Sequence, residues 1–187
     1  MKANHPMFLV LAIFAAWKIC PVAAQGNRMD PTRLDSAERL MLLYTPDPFD
    51  GTWKLNAAKS KFVSGPALKS DIFEIEEKSG GIECTMNPVD SDGKARTVKW
   101  IAKYDGRDYP AEIAPYADMV ALNRIDEHTV DALYKKGGKE IFSERWVVSG
   151  DGKTLTMTQT GKNPPAQGIR NTLVYQKRHS FEAPDEH

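Results

Sequence analysis

The 187-residue chain carries 41% hydrophobic and 27% charged residues, an ordinary globular balance that excludes the disordered and fibrous classes. Its length suffices for one domain with a full core plus appended segments. Its 25 basic residues match its 25 acidic ones, and such a surface lacks the clustered basic field that nucleic acid requires. Lys135-Lys136 and Lys177-Arg178 are short pairs that read as turn or strand-end charges.

The N-terminus reads as an export address. Lys2 supplies positive charge, Met7 to Trp17 is an unbroken apolar run, and Val22-Ala23-Ala24 offers the modest side chains a signal peptidase accepts. The run is too short to span a bilayer, which takes about 20 residues. Residues 1–24 are therefore expected to be a signal peptide, placing the mature protein outside the cell or in the periplasm. Its removal leaves 23 basic and 25 acidic residues, a net charge of −2. Cys20 raises the alternative of a lipid-anchored N-terminus, but Trp17-Lys18-Ile19 lacks the small residues such a site uses before its cysteine. After cleavage Cys84 is the one thiol, which forbids an intramolecular disulfide and favours a buried cysteine.

Residues 25–46 form a tail and a predicted amphipathic helix. Asp30-Pro31 supplies an N-cap followed by proline in the first turn. Leu34, Ala37, Leu40, Met41 and Tyr44 then make one apolar stripe. Thr45-Pro46-Asp47-Pro48 stops the helix. The stripe either packs on the main domain or lies over its mouth as a lid.

From Trp53 the hydrophobic period becomes two. Ile82, Cys84 and Met86 alternate with polar residues, as do Val98, Trp100, Ala102 and Tyr104, then Val130, Ala132 and Tyr134, then Leu155 and Met157. Such runs are half-buried antiparallel strands. Strands are expected near 51–55, 71–77, 81–87, 96–104, 109–113, 118–125, 128–135, 139–148, 154–160 and 168–177. Ser79-Gly80-Gly81, Ser91-Asp92-Gly93, Asp105-Gly106, Lys136-Gly137-Gly138 and Asp151-Gly152 supply hairpin turns between them. No stretch in this region reads as a crossover helix, which argues against a parallel sheet. Consecutive hairpins hide their edges most completely by closing, so the expected fold is an all-β, antiparallel up-and-down barrel of eight to ten strands over 47–178. An open sandwich is the alternative, and 179–187 is a polar tail.

Phe49-Asp50-Gly51-Thr52-Trp53-Lys54-Leu55 resembles the opening of the calycin superfamily, which includes lipocalins and fatty-acid-binding proteins. Gly51 to Asn56, Tyr104 to Pro110 and Asp151 to Thr156 are also similar to stretches shared by a group of secreted bacterial proteins, a likeness that carries no activity with it. The calycin resemblance implies that Gly51 allows close backbone packing, that Trp53 caps one barrel end, and that Arg178 stacks over its indole. Two features depart from the fatty-acid-binding pattern. The Asn56 to Ser70 connection is too short for a helix-turn-helix, and no clean terminal Arg-x-Tyr is present. Long-chain acid binding therefore does not transfer.

No constellation for catalysis stands out. His128 sits in the Asp126-Glu127-His128 turn with no nucleophile beside it, and no histidine neighbours Cys84 in sequence. Asp90-Ser91-Asp92-Gly93 reads as a hairpin turn, since the remaining ligands of a calcium loop are missing. No Cys/His spacing suggests zinc, and no glycine-rich loop leads into a helix; no metal and no cofactor are expected. The candidate ligand-binding residues are Trp100, Tyr104, Arg124, Tyr134 and Arg145, set by alternation among inward side chains. The parity of Arg145 opposes that of Phe142 and Trp146, so its direction stays open. The same residues also suit a solidly filled core. The expectation is an exported, non-enzymatic barrel that takes a small apolar or amphipathic ligand. The alternative is an interaction or inhibitor module with a solid core, acting through the Asn56 to Ser70 and Asn163 to Gln167 loops.

Overall fold

The computed structural model describes residues 45–64 and 67–178. The expected signal peptide, the predicted helix up to Tyr44 and the C-terminal tail lie outside the described residues. Twelve strands follow in order: β1 (Gly51–Leu55), β2 (Leu68–Ser70), β3 (Ile72–Lys78), β4 (Gly81–Met86), β5 (Val89–Asp90) and β6 (Val98–Lys103), then β7 (Asp105–Ile113), β8 (Ala117–Asp126), β9 (Thr129–Lys136), β10 (Lys139–Val148), β11 (Thr154–Gly161) and β12 (Arg170–Lys177).

Ten of them form one sheet in the order β6-β4-β3-β1-β12-β11-β10-β9-β8-β7, while β2 and β5 make a separate ribbon. All pairings are antiparallel. Winding back of the chain is completed by β1, where Trp53 is registered with Phe73 on one side and Lys177 on the other. The result is the expected up-and-down barrel, nearly closed. Its seam lies between β6 and β7, the two ends of the sheet, which only Tyr104 separates in the chain. Asp105-Gly106, expected to turn a hairpin, instead opens β7. The turn chemistry is present, with Gly106 at φ +72° and the Arg107 N–H donating to Asp105 Oδ1 at 3.1 Å, but the flanking strands do not pair across it.

Alternation sorts the side chains. In β6, Val98, Trp100 and Ala102 are buried while Lys99, Ile101 and Lys103 are exposed. In β10 both Ile141 and Phe142 are buried, because a register shift against β9 between Glu140 and Phe142 changes the parity there. From that irregularity onward Phe142, Glu144, Trp146 and Val148 point in, and Arg145 and Val147 point out. Three aromatic rings meet on Trp146: Phe73 stands edge-on at 5.4 Å, with Trp100 at 6.2 Å and Phe49 at 6.5 Å.

One end of the barrel is sealed. The Trp53 indole N–H donates to the Phe49 carbonyl at 2.8 Å, and the Lys177 ammonium lies 5.0 Å over the indole ring. Arg178 continues the strand pairing by donating its backbone N–H to the Thr52 carbonyl at 2.8 Å. Arg124 forks onto both oxygens of Asp47 and stacks over Tyr104 at 4.7 Å and Phe49 at 5.3 Å. Gly51 is what lets the chain enter this end. Its φ of +123° is one that L side chains rarely adopt, and an added Cβ would lie 2.9 Å from Lys177 Cε. Gly51→Ala is accordingly expected to lower stability by about 1–3 kcal/mol, read from urea denaturation midpoints; an unchanged midpoint would show that the strand start tolerates a side chain.

Candidate ligand-binding site

The other half of the interior is not filled. A cavity of about 160 Å³ lies between β9–β12 on one side and β2, β5 and the start of β6 on the other. Register fixes its position: the inward residues of β12 near its start, Asn171 and Leu173, line it, whereas Lys177 at the strand's end belongs to the sealed end. Its walls are mostly apolar. Tyr134 and Phe142 stack at 4.2 Å with their planes 9° apart, and Tyr116 meets Phe142 edge-on at 6.3 Å. Met86, Met157 and Leu173 complete that surface.

Two buried carboxyl groups interrupt it. Glu144 is 8% exposed and Asp71 3%. Glu144 Oε2 accepts from the Tyr134 hydroxyl at 3.1 Å and the Trp146 indole N–H at 2.7 Å, and Oε1 accepts from the Gln159 amide at 2.7 Å. Asp71 Oδ2 accepts from the Tyr175 hydroxyl at 2.9 Å, and Oδ1 from the Asn87 backbone N–H at 3.0 Å. Burial drives both acids upward. Asp71 reaches about 6, as desolvation and the nearby Glu144 outweigh its hydrogen bonds and the attraction of Arg96. Glu144 is likewise raised by burial, against the pull of its three donors. Burial also pushes the Tyr134 and Tyr175 hydroxyls well above their ordinary range, so both remain donors.

The cover over this end comes from the Asn56 to Ser70 connection. Phe62, Ser64 and Leu68 line the cavity from it. Lys61 exchanges backbone hydrogen bonds with Thr172 at 2.7 and 2.8 Å, and the Ser64 hydroxyl donates to the Gly168 carbonyl at 2.8 Å. Asn171 Oδ1 accepts from the backbone N–H groups of Val63 and Ser64, while its amide donates to Gln159 Oε1 at 3.2 Å. One hydrogen-bonded line therefore runs from Glu144 through Gln159 and Asn171 to the cover. At the rim, Arg96 Nη1 donates to both oxygens of Asp90, at 2.7 and 2.8 Å.

Of the residues that alternation nominated, Tyr134 alone lines this cavity. Trp100 is buried in the aromatic cluster, and Tyr104 and Arg124 sit at the sealed end. Both the Trp100 indole N–H and the Tyr104 hydroxyl are buried with no hydrogen-bond partner among the described residues. Arg124 is spoken for by Asp47: burial works to raise that acid, yet the Arg124 fork and the Phe49 N–H hold it below its ordinary value. Arg145 lies on the outer surface, forked onto Asp131 at 2.7 Å for both contacts, because the irregularity in β10 turns its side chain away from the interior. Gly51 and Trp53 lie in β1, where Lys177 packs against both. Asp71, Glu144, Gln159 and Asn171 were not nominated; the signal that bears on Glu144 is that it shares the parity of Phe142 and Trp146. Cys84, the one thiol among the described residues, is fully buried, and burial pushes it well above its ordinary range, which disables it as a nucleophile.

No protein-family model matches the chain, and no curated protein matches it either. Among solved structures, the chain is similar to zebrafish ileal bile-acid-binding protein crystallised with cholic acid, with 12% sequence identity, a TM-score of 0.47, and coverage of 71% of this chain and 99% of that one.

Proposed function

We propose that the protein is an exported, non-enzymatic barrel that binds one small apolar or amphipathic molecule in the cavity beneath the Phe62–Ser64 cover. The observation that carries this reading is the cavity itself: about 160 Å³ of space walled by aromatic and methionine side chains with a few polar groups converging on it. A solid-cored interaction module has no use for such a void, and well-packed interiors seldom keep one. The size also sets the scale of the ligand. An engineered cavity of about 150 Å³ in another protein holds benzene, so one ring with a short substituent fits the space, whereas a steroid or a long acyl chain exceeds it. Export is supported by the Lys2, Met7–Trp17 and Val22–Ala24 pattern. Binding without chemistry is supported by the burial of Cys84 and the absence of a base set against a nucleophile among the residues lining the cavity.

The test is an NMR titration of the full chain with benzyl alcohol, cyclohexanol and indole. The methyl signals of Met157 and Leu173, both cavity-lining, are expected to shift saturably. Met86→Trp, which fills the cavity from a half-buried wall position, is expected to weaken the same titration by about tenfold or more. Absence of any saturable shift in the unmodified chain would remove the reading.

A further inference from the structure

The reading of the cavity as a binding site leaves the charge of its occupant open, and the polar groups inside supply an answer. Asp71 and Glu144 face one cavity, and among the described residues no cation is paired with either of them. The basic side chain on the lining, Arg96, is ion-paired with Asp90, its Nη1 donating to both carboxylate oxygens. Two carboxyl groups buried without an ion-paired cation are costly to an empty protein, and a charge-matched guest offsets that cost.

Their hydrogen bonds leave room for a guest. A carboxylate offers about four acceptor positions. Asp71 uses one on each oxygen, and Glu144 uses two on Oε2 and one on Oε1. Open positions therefore remain on both acids, and a primary ammonium brings three donors. The surrounding rings of Tyr116, Tyr134 and Phe142 suit the methylenes and positive head of such a ligand. An anionic guest meets the opposite: it would lie against two acids, and the one basic side chain on the lining, Arg96, is already ion-paired with Asp90.

Resting on the binding reading above, we infer that the cavity selects small organic cations, a protonated amine on a ring-sized apolar body, over neutral analogues and against carboxylates. The pair of buried acids is the selecting element, and the aromatic wall sets the size.

Calorimetric titration of the full chain with three molecules of nearly equal shape decides this: 2-phenylethylamine, 2-phenylethanol and phenylacetate, at about pH 8, where a carboxyl raised to about 6 is ionised. The amine is expected to bind about tenfold more tightly than the alcohol, the margin between a charged and a neutral hydrogen bond, and phenylacetate more weakly than either. Asp71→Asn and Glu144→Gln, which preserve side-chain size, are each expected to shrink the amine-to-alcohol affinity ratio towards one. Phenylacetate binding as tightly as the amine, or an alcohol that binds with no amine preference, would overturn the charge selection while leaving the cavity as a binding site. A ratio unchanged in both variants would overturn the role given to the acids. Binding of none of the three would remove the binding reading and this inference together.

Discussion

Trp146→Ala is expected to cost the barrel about 3–5 kcal/mol, the range for deleting a fully buried large aromatic. The indole is 0% exposed and is packed by Phe49, Phe73 and Trp100, which come from the segment before β1, from β3 and from β6. Strands that are not neighbours in the sheet are thus joined through one ring. The loss is compounded at the site, because the indole N–H is one of the three donors that satisfy Glu144. Against a total stability of about 5–15 kcal/mol for a domain of this size, the substitution removes a large share. Urea denaturation read by far-UV circular dichroism measures it. Trp146→Phe, which keeps most of the volume but not the N–H, is expected to lose about 1–3 kcal/mol. A loss below about 1 kcal/mol for the alanine variant would mean the ring is not the packing centre of the barrel.

The contrast between Trp146 and the nominated residues shows what a sequence discloses of such a fold. Period-two alternation told inside from outside for Trp100 and Tyr134, because the pleat alone decides it. It could not tell which end of the barrel each would occupy. Height along the axis depends on register with partner strands distant in the chain, so Trp100 and Tyr104 fell on the packed half and Tyr134 on the open half. Arg124 was placed on an inward course, but its partner Asp47 lies 77 residues earlier, ahead of the first strand, where no local pattern connects them. In β10 the two adjacent apolar residues Ile141 and Phe142 made the parity of Arg145 and Glu144 undecidable, and it is the register shift beside them that sends the arginine out and the acid in. The β2–β5 ribbon is a further case. Three- and two-residue strands are too short to display a period, yet they furnish one wall of the cavity.

Asp71 makes the cavity's electrostatics measurable without any ligand. A carboxyl whose value is raised from 3.8 to about 6 in the folded protein holds its proton there over a window in which the unfolded chain has already released it. The native state thus binds more protons between about pH 4 and 6, and stability must fall as pH rises through that window. Below it both states are protonated and Asp71 costs nothing; above it both are ionised and the cost is complete. A shift of this size corresponds to about 3 kcal/mol. Asp71→Asn removes the titration while retaining an acceptor for the Asn87 N–H and an amide donor for the Tyr175 hydroxyl. The stability difference, wild type minus variant, is therefore expected to decline by up to about 3 kcal/mol between pH 4 and pH 7. Carboxyls shifted the other way, such as Asp47 and Asp131, gain stability as pH rises, but they are common to both proteins and cancel in the difference. Glu144, also raised by burial, is common to both proteins, and its repulsion of Asp71 is already part of the Asp71 shift. Urea denaturation of both proteins at a series of pH values supplies the curve. A difference that stays flat would place the Asp71 carboxyl in water, and with it one of the two acids from which the cavity's preference for a cation is argued.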